Sequence, residues 1–306
     1  MNMHQELPPY ANGYSVSEKE LIACQQQALA LPKLNHRARQ SQQGHHHSSL
    51  KGRGMEFAEV RLYQAGDDIR SIDWRVTART GQTHTKLYNE EKERSVIVVA
   101  DLGLHTHLGS QLLLQSVQIA HISATLAWRT IQQGNRIGAI TANQYQHIES
   151  KPKARKTGIV QVIDQLCQTV KHEPASSYDS EYLTSSLKKL RHLVKPGAQI
   201  WLITDGTVFN NACLESLSTI KKHCDIGVIL VTDPIRRGEL ELPKNMNLPI
   251  FNGQEYLTLD RYSYQHWLEK EKNKIDSFKN LLEQINIIPR HVCSAKPLIS
   301  QLMELR

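Results

Sequence analysis

VIVVAD at residues 96–101 and QIWLITDG at residues 199–206 decide the fold. Each is a run of apolar, largely β-branched side chains that stops at an aspartate. A short continuous apolar run bounded by polar residues predicts a strand buried on both faces, because a strand with one wet face would alternate. ILVTDP at 229–234 repeats the pattern. Helical spacing fills the intervals, at 110–131, 157–170, 181–193 and 211–223. Strands alternating with helices predict an α/β fold: a doubly wound, mostly parallel sheet of Rossmann type with helices on both faces. Further strands are expected at 136–141, with 145–148 pairing to it, and at 226–232. Residues 256–259 read as a short last strand, 264–285 as a polar amphipathic helix, and 296–305 as the closing segment.

The aspartates that end these runs are the first candidate site. In doubly wound sheets ligands lie beyond the carboxyl ends of the strands, where strand order reverses. If strands 96–100 and 199–204 are neighbours there, Asp101 and Asp205 approach each other. Two carboxylates in one crevice invite a hard cation such as Mg²⁺. His105 and His107, with Asp101, offer a set suited to Zn²⁺ instead. The alternative without metal has Asp101 and Asp205 capping helix starts or accepting loop amides.

Composition narrows the function classes. Of 306 residues, 40% are apolar, enough for a sizeable core, and the formal net charge is +7. That charge favours an anionic partner but is modest for a dedicated nucleic-acid binder. Five cysteines, odd in number and without a CxxC pair, fit a reducing compartment. The N-terminus lacks a signal-peptide core, and no run approaches the roughly 20 apolar residues of a membrane span. A cytoplasmic protein is therefore expected. GxSxG, GxxxxGK[ST], HExxH and a strand-linked GxGxxG are absent, so no enzyme motif and no P-loop is read. No cofactor is expected, with Mg²⁺ at the aspartates as the one exception.

Three domains are expected. Residues 1–50 form a flexible extension with a short helix, for which Ser17 and Glu20 supply a capping box. His45, His46 and His47 in it read as solvated. Residues 51–94 are densely charged in both signs and interleaved with aromatics, unlike a disordered charge block. Residues 95–306 carry the sheet. Within 51–94, Asp67, Asp68 and Asp73 would pair with Arg70, Arg75 and Arg79, and Trp74 and Ile72 would anchor the segment on the sheet. The same residues could instead face a partner. Asp73 with Glu90-Glu91-Lys92 also has the look of a metal-nuclease motif. The basic run 151–156 reads as a solvated loop.

KGRGMEF, EVRLYQAGDDIRSIDWRVTAR and KLYNEEKER resemble the signature of the "domain of unknown function 58" proteins, relatives of the von Willebrand factor A (vWA) domain. The resemblance runs over most of the chain. It implies a vWA-like domain and a partner-binding or structural signature at Arg53, Glu56, Arg61, Tyr63, Gly66, Asp67, Asp68, Arg70, Asp73, Trp74, Arg75 and Arg79. Many such proteins carry two membrane helices before the signature, which this chain is expected to lack. The vWA metal site resembles DxSxS, a loop Thr and a TDG-like Asp. Here Asp101, Gly103, His105 and Asp205 stand at those places, with Thr184 or Ser185 for the loop hydroxyl and Gly103 and His105 in place of both serines, so the site is degenerate. The resemblance further implies MoxR-type AAA+ ATPases and other vWA proteins as partners, hence an adaptor role in assembly or remodelling of a client complex.

Overall fold

The computed structural model describes residues 7–30, 55–90, 93–171, 179–240, 247–251 and 256–301. The chain divides into two compact units, residues 37–93 and the remainder. Helix α1 (Glu18–Ala30) comes first. The small unit follows, with β1 (Met55–Leu62), α2 (Trp74–Thr80) and β2 (His84–Glu90). The large unit then runs β3 (Ser95–Asp101), α3 (Gln115–Gln132), β4 (Arg136–Ala142), β5 (His147–Lys153), α4 (Arg155–Val170), α5 (Tyr182–Leu193) and β6 (Gln199–Thr204). It continues through α6 (Asn211–Lys221), β7 (Asp225–Thr232), α7 (Pro234–Arg237), β8 (Leu248–Phe251), β9 (Tyr256–Leu259), α8 (Arg261–Gln284), β10 (Arg290–Cys293) and α9 (Leu298–Gln301).

The large unit is a doubly wound α/β fold. Its six-stranded sheet has the order β10-β7-β6-β3-β4-β5, parallel throughout except for β5, which runs antiparallel to β4. The run in β3 shows why its sequence does not alternate. Val96, Val98 and Ala100 pack with residues of α1, α3 and α4 on one face. Ile97 and Val99 pack with residues of α5, α6 and α8 on the other. Both faces are dry, so every position must be apolar. The first strand of the sheet, β3, lies between β4 and β6, with Val96 opposite Gln199 and Ala100 opposite Ile203. Strand order reverses there, and the carboxyl ends of β3 and β6 are side by side.

Several expectations change. The basic run at 151–156 is no loop: Lys151 and Lys153 belong to β5 at the sheet edge, and Arg155 and Lys156 begin α4. Charge on an edge strand opposes edge-to-edge pairing with other chains. Strand β9 does not close the main sheet; it pairs with β8 in a separate two-stranded sheet. The last strand of the main sheet is β10, RHVC, whose polar first half and short length hid it from a pattern search.

The N-terminal segment, expected to be flexible up to residue 16, is packed where it is described. The Leu114 amide donates to the Gly13 carbonyl at 2.8 Å, and Val16 is buried. Ser17 and Glu20 form the anticipated capping box, each backbone N–H donating to the other's side-chain oxygen at 3.3 Å. Leu21, Cys24 and Ala28 of α1 are buried, and the Trp128 indole donates to the Leu21 carbonyl at 3.1 Å. His45, His46 and His47 lie outside the described residues.

Candidate functional site

The strand-end crevice brings together Asp101, His105 and Asp205, whose ligand-capable atoms lie within 4.8 Å of one another. Asp101 ends β3 and Asp205 follows β6; both are fully buried. A 3-10 turn at Leu104–Thr106 carries His105 back over the strand end. Its Nε2 sits 3.4 Å from Asp101 Oδ2 and 3.2 Å from Asp205 Oδ1. Burial alone would lower the His105 pKa, but the charges of Asp205 and Asp101 outweigh it and hold the value up at about 10. Burial likewise opposes ionisation of Asp205, and His105 and Arg236 overcome it, keeping this carboxyl well below the usual range.

The remaining oxygens are also taken. The Tyr182 hydroxyl donates to Asp101 Oδ1 at 2.5 Å and the Thr204 hydroxyl to Oδ2 at 2.6 Å. Burial and the adjacent Asp101 push the Tyr182 phenol well above its ordinary pKa, so it remains a donor. Asp205 accepts from the Thr207 amide and hydroxyl, both at 2.9 Å, and from the Arg236 guanidinium at 2.6 Å. Arg236 is 2% exposed and also meets Glu271 of α8 at 2.5 Å. Gly103 stands in the first serine position for a steric reason. A Cβ there would lie 2.1 Å from the Tyr182 hydroxyl and 2.6 Å from His105 Cε1.

Mg²⁺ does not fit this donor set. It demands near-octahedral oxygen ligands and usually keeps several waters. Here the carboxylate oxygens already accept from protein donors, an imidazole lies between them, and Gly103 offers no hydroxyl. Thr184 and Ser185, the two candidates for the loop hydroxyl, bond elsewhere: Thr184 meets Glu181 at 3.0 Å, Cys213 at 3.3 Å and Asn210 at 3.4 Å, and Ser185 meets Asp179 at 3.4 Å. The third strand-end aspartate, Asp233, is a structural lock. It caps α7 and accepts from Ser110 and Ser294, tying β7 to the loops after β3 and β10.

In the small unit the charge pairing differs from that expected. Asp67 pairs with Arg61 at 2.7 Å and accepts from the Gln64 amide. Asp68 caps the 3-10 turn Ile69–Ser71 by accepting from the Arg70 amide, not from its guanidinium. Asp73 caps α2 through the Arg75 and Val76 amides and pairs with Lys86 at 3.4 Å. The Val76 amide is the leading cause that draws its pKa below the ordinary value. Trp74 is 67% exposed rather than an anchor, and Ile72 bridges to Thr85. Tyr63 donates its amide to Thr83, and Gly66 lies in the turn after β1. Asp73 is held beside His84 while Glu90 ends the same strand, roughly 20 Å away at the rise of a β-strand, so Asp73 and Glu90 of the nuclease set are far apart. Arg53, Glu91, Lys92 and the side chain of Glu56 lie outside the described residues.

The family model "Protein of unknown function DUF58" matches residues 59–261. The chain belongs to the DUF58 family. Among curated relatives, the uncharacterized proteins Rv1480 of Mycobacterium tuberculosis and Mb1516 of Mycobacterium bovis are each 34% identical over 100 residues. That match covers 33% of this chain and spans about a third of theirs, 32%. BatB from Bacteroides thetaiotaomicron is similar at a TM-score of 0.39 and 10% identity, over 69% of this chain and 98% of that one. An "aerotolerance-related membrane protein" from Bacteroides fragilis scores 0.33 at 14% identity, over 63% of this chain and 98% of its own. An "uncharacterized membrane spanning protein" from Vibrio fischeri scores 0.24 at 13% identity, over 70% and 96%. The cytoplasmic placement read from the sequence is withdrawn: the last two of these titles describe membrane proteins. Among the described residues no helix is long and apolar enough to cross a membrane.

Sequence reasoning about this DUF58 chain found Asp101, His105 and Asp205 but missed Tyr182, Thr204, Arg236 and Glu271. Thr204 was visible in LITDG. Tyr182 lies two residues from Thr184, the position the family pattern singled out. Nothing local marks Arg236 or Glu271, because a buried ion pair between α7 and α8 exists only after both helices dock.

Proposed function

We propose that this DUF58 chain is a non-enzymatic protein-interaction module, an adaptor that works with a MoxR-type AAA+ ATPase in remodelling a client complex. The observation that carries the non-enzymatic part is the closed crevice: Asp101 and Asp205 spend their charge on His105, Tyr182, Thr204 and Arg236 rather than on an open site. A reacting group needs an approachable face, and these carboxylates have none. The ATPase is supported by the resemblance of the signature segment. Affinity capture from native lysate, under ATP and under ADP, tests it. Recovery of an AAA+ ATPase by the wild type, lost in a folded Trp74→Ala/Arg75→Ala variant, is expected. Recovery of none under either nucleotide would remove the adaptor reading.

A second reading is a metal-dependent ligand-binding module. The observation in its favour is the convergence of Asp101, His105 and Asp205 donors within 4.8 Å, a set whose carboxylate oxygens suit Mn²⁺ and whose imidazole nitrogen suits Zn²⁺. Titration calorimetry with each ion on the wild type and on Asp101→Ala decides it. No heat from the wild type sinks this reading.

A further inference from the structure

We propose that the face formed by Ile69, Arg70, Trp74, Arg75 and Arg79 binds an acidic protein surface, with Trp74 entering an apolar pocket of that partner. The proposal rests on the interaction-module reading and adds to it a surface and the partner's chemistry. Ile69 is 66% exposed and Trp74 67% exposed, on adjoining turns of the small unit. Trp74 and Ala78, and Arg75 and Arg79, are four residues apart on α2 and so stack along one side of it.

The charge of this face follows from where the acids go. Asp67 is held by Arg61 and the Gln64 amide. Asp68 is spent on the Arg70 amide, and Asp73 on two amides and Lys86. The guanidinium groups of Arg70, Arg75 and Arg79 make no ion pair among the described residues. The caps thus hold the turn and α2 rigid and leave the arginines to face outward. Arginine and tryptophan are the side chains that most often dominate binding energy at protein interfaces. Because their backbone is already fixed, the ordering entropy that opposes association is that of the side chains alone.

A protein suits this face better than a nucleic acid. Three charges grouped around two apolar side chains neutralise few phosphates, whereas strand binding draws its affinity from many along a track. A short basic group beside two exposed apolar side chains instead complements an acidic surface with an apolar pocket.

The test uses the full chain and three labelled probes: a short peptide of Glu and Asp interspersed with Leu and Phe, its Gln/Asn counterpart, and a short single-stranded DNA. Fluorescence anisotropy is read on the wild type, on Trp74→Ala, and on Arg70→Glu/Arg75→Glu/Arg79→Glu, each checked by circular dichroism. The wild type should prefer the acidic peptide to the neutral one by roughly tenfold, and the preference should disappear in both variants. Added salt should weaken the wild-type interaction, a readout that needs no variant to fold. Equal binding of the two peptides, unchanged binding by the charge-reversed variant, or tighter binding of the DNA each overturns the proposal. Lysate capture on the same proteins separates the two readings. Partners retained equally by the charge-reversed variant overturn this face and leave the module standing, whereas partners absent from both remove the module reading itself.

Discussion

Gly103 and Tyr182 are one decision made at two positions. The Tyr182 hydroxyl occupies the volume that a side chain at residue 103 would need. Gly103→Ala is expected to destabilise the fold, and Tyr182→Phe to cost about 1–3 kcal/mol by withdrawing a donor from a buried carboxylate. Because the two share one contact, the double variant should cost less than the sum, by urea denaturation. Strict additivity would disconnect them. His105 gives a pH signature. Its folded-state value, about 10, lies above the ordinary 6.5, so its contribution is fully present below pH 6.5 and is lost as pH rises toward 10. Stability of the wild type should therefore fall relative to His105→Gln across that interval. Parallel stability curves would show that the imidazole is not held by the two aspartates.

At the scale of elements, the docking of α1 turns on a buried pair. Glu20 meets His121 of α3 at 2.5 Å, with Glu20 2% and His121 0% exposed. Glu20→Ala leaves the buried His121 nitrogen without its partner and removes half of the capping box, and should cost about 1–3 kcal/mol in chemical denaturation. A loss below about 1 kcal/mol, the scale of an exposed pair, would mean that α1 is held by its apolar residues alone. The elements were unequally legible. Strands β3, β6 and β7 announced themselves because burial on both faces forces an unbroken apolar run. Strand β10 and the β8–β9 pair did not, since four-residue strands carry too little pattern and take their identity from their neighbours. The capping box was readable because it is a local device of side chain and amide three residues apart.

Across the whole large unit, Arg236 joins the sheet to its longest helix. It bonds Asp205 after β6 and Glu271 of α8, and Glu271 in turn meets Lys274 at 2.8 Å. Asp205→Ala would leave the buried guanidinium with Glu271 as its one remaining carboxylate and His105 without Asp205, and is expected to lower stability by about 3–5 kcal/mol, with α8 loosened first in hydrogen exchange. Full protection of α8 in that variant would mean that apolar contacts such as Phe278 suffice. That packing is close: Gly206 takes φ +79, and a Cβ there would lie 2.9 Å from the Phe278 ring. The sequence by itself determined the doubly wound α/β class and the family, because unbroken apolar runs and a long charged signature are local in the chain; that β3 and β6 are neighbours came from the sheet order. The sequence named Asp101, His105 and Asp205 as candidates, but only the strand order brought them to one crevice. Tertiary structure alone decided what those carboxylates do, because Tyr182, Arg236 and Glu271 reach them from helices far apart in sequence. It likewise decided that the expected Asp–Arg pairs do not form, since those acids bond backbone amides, Arg61 and Lys86 instead.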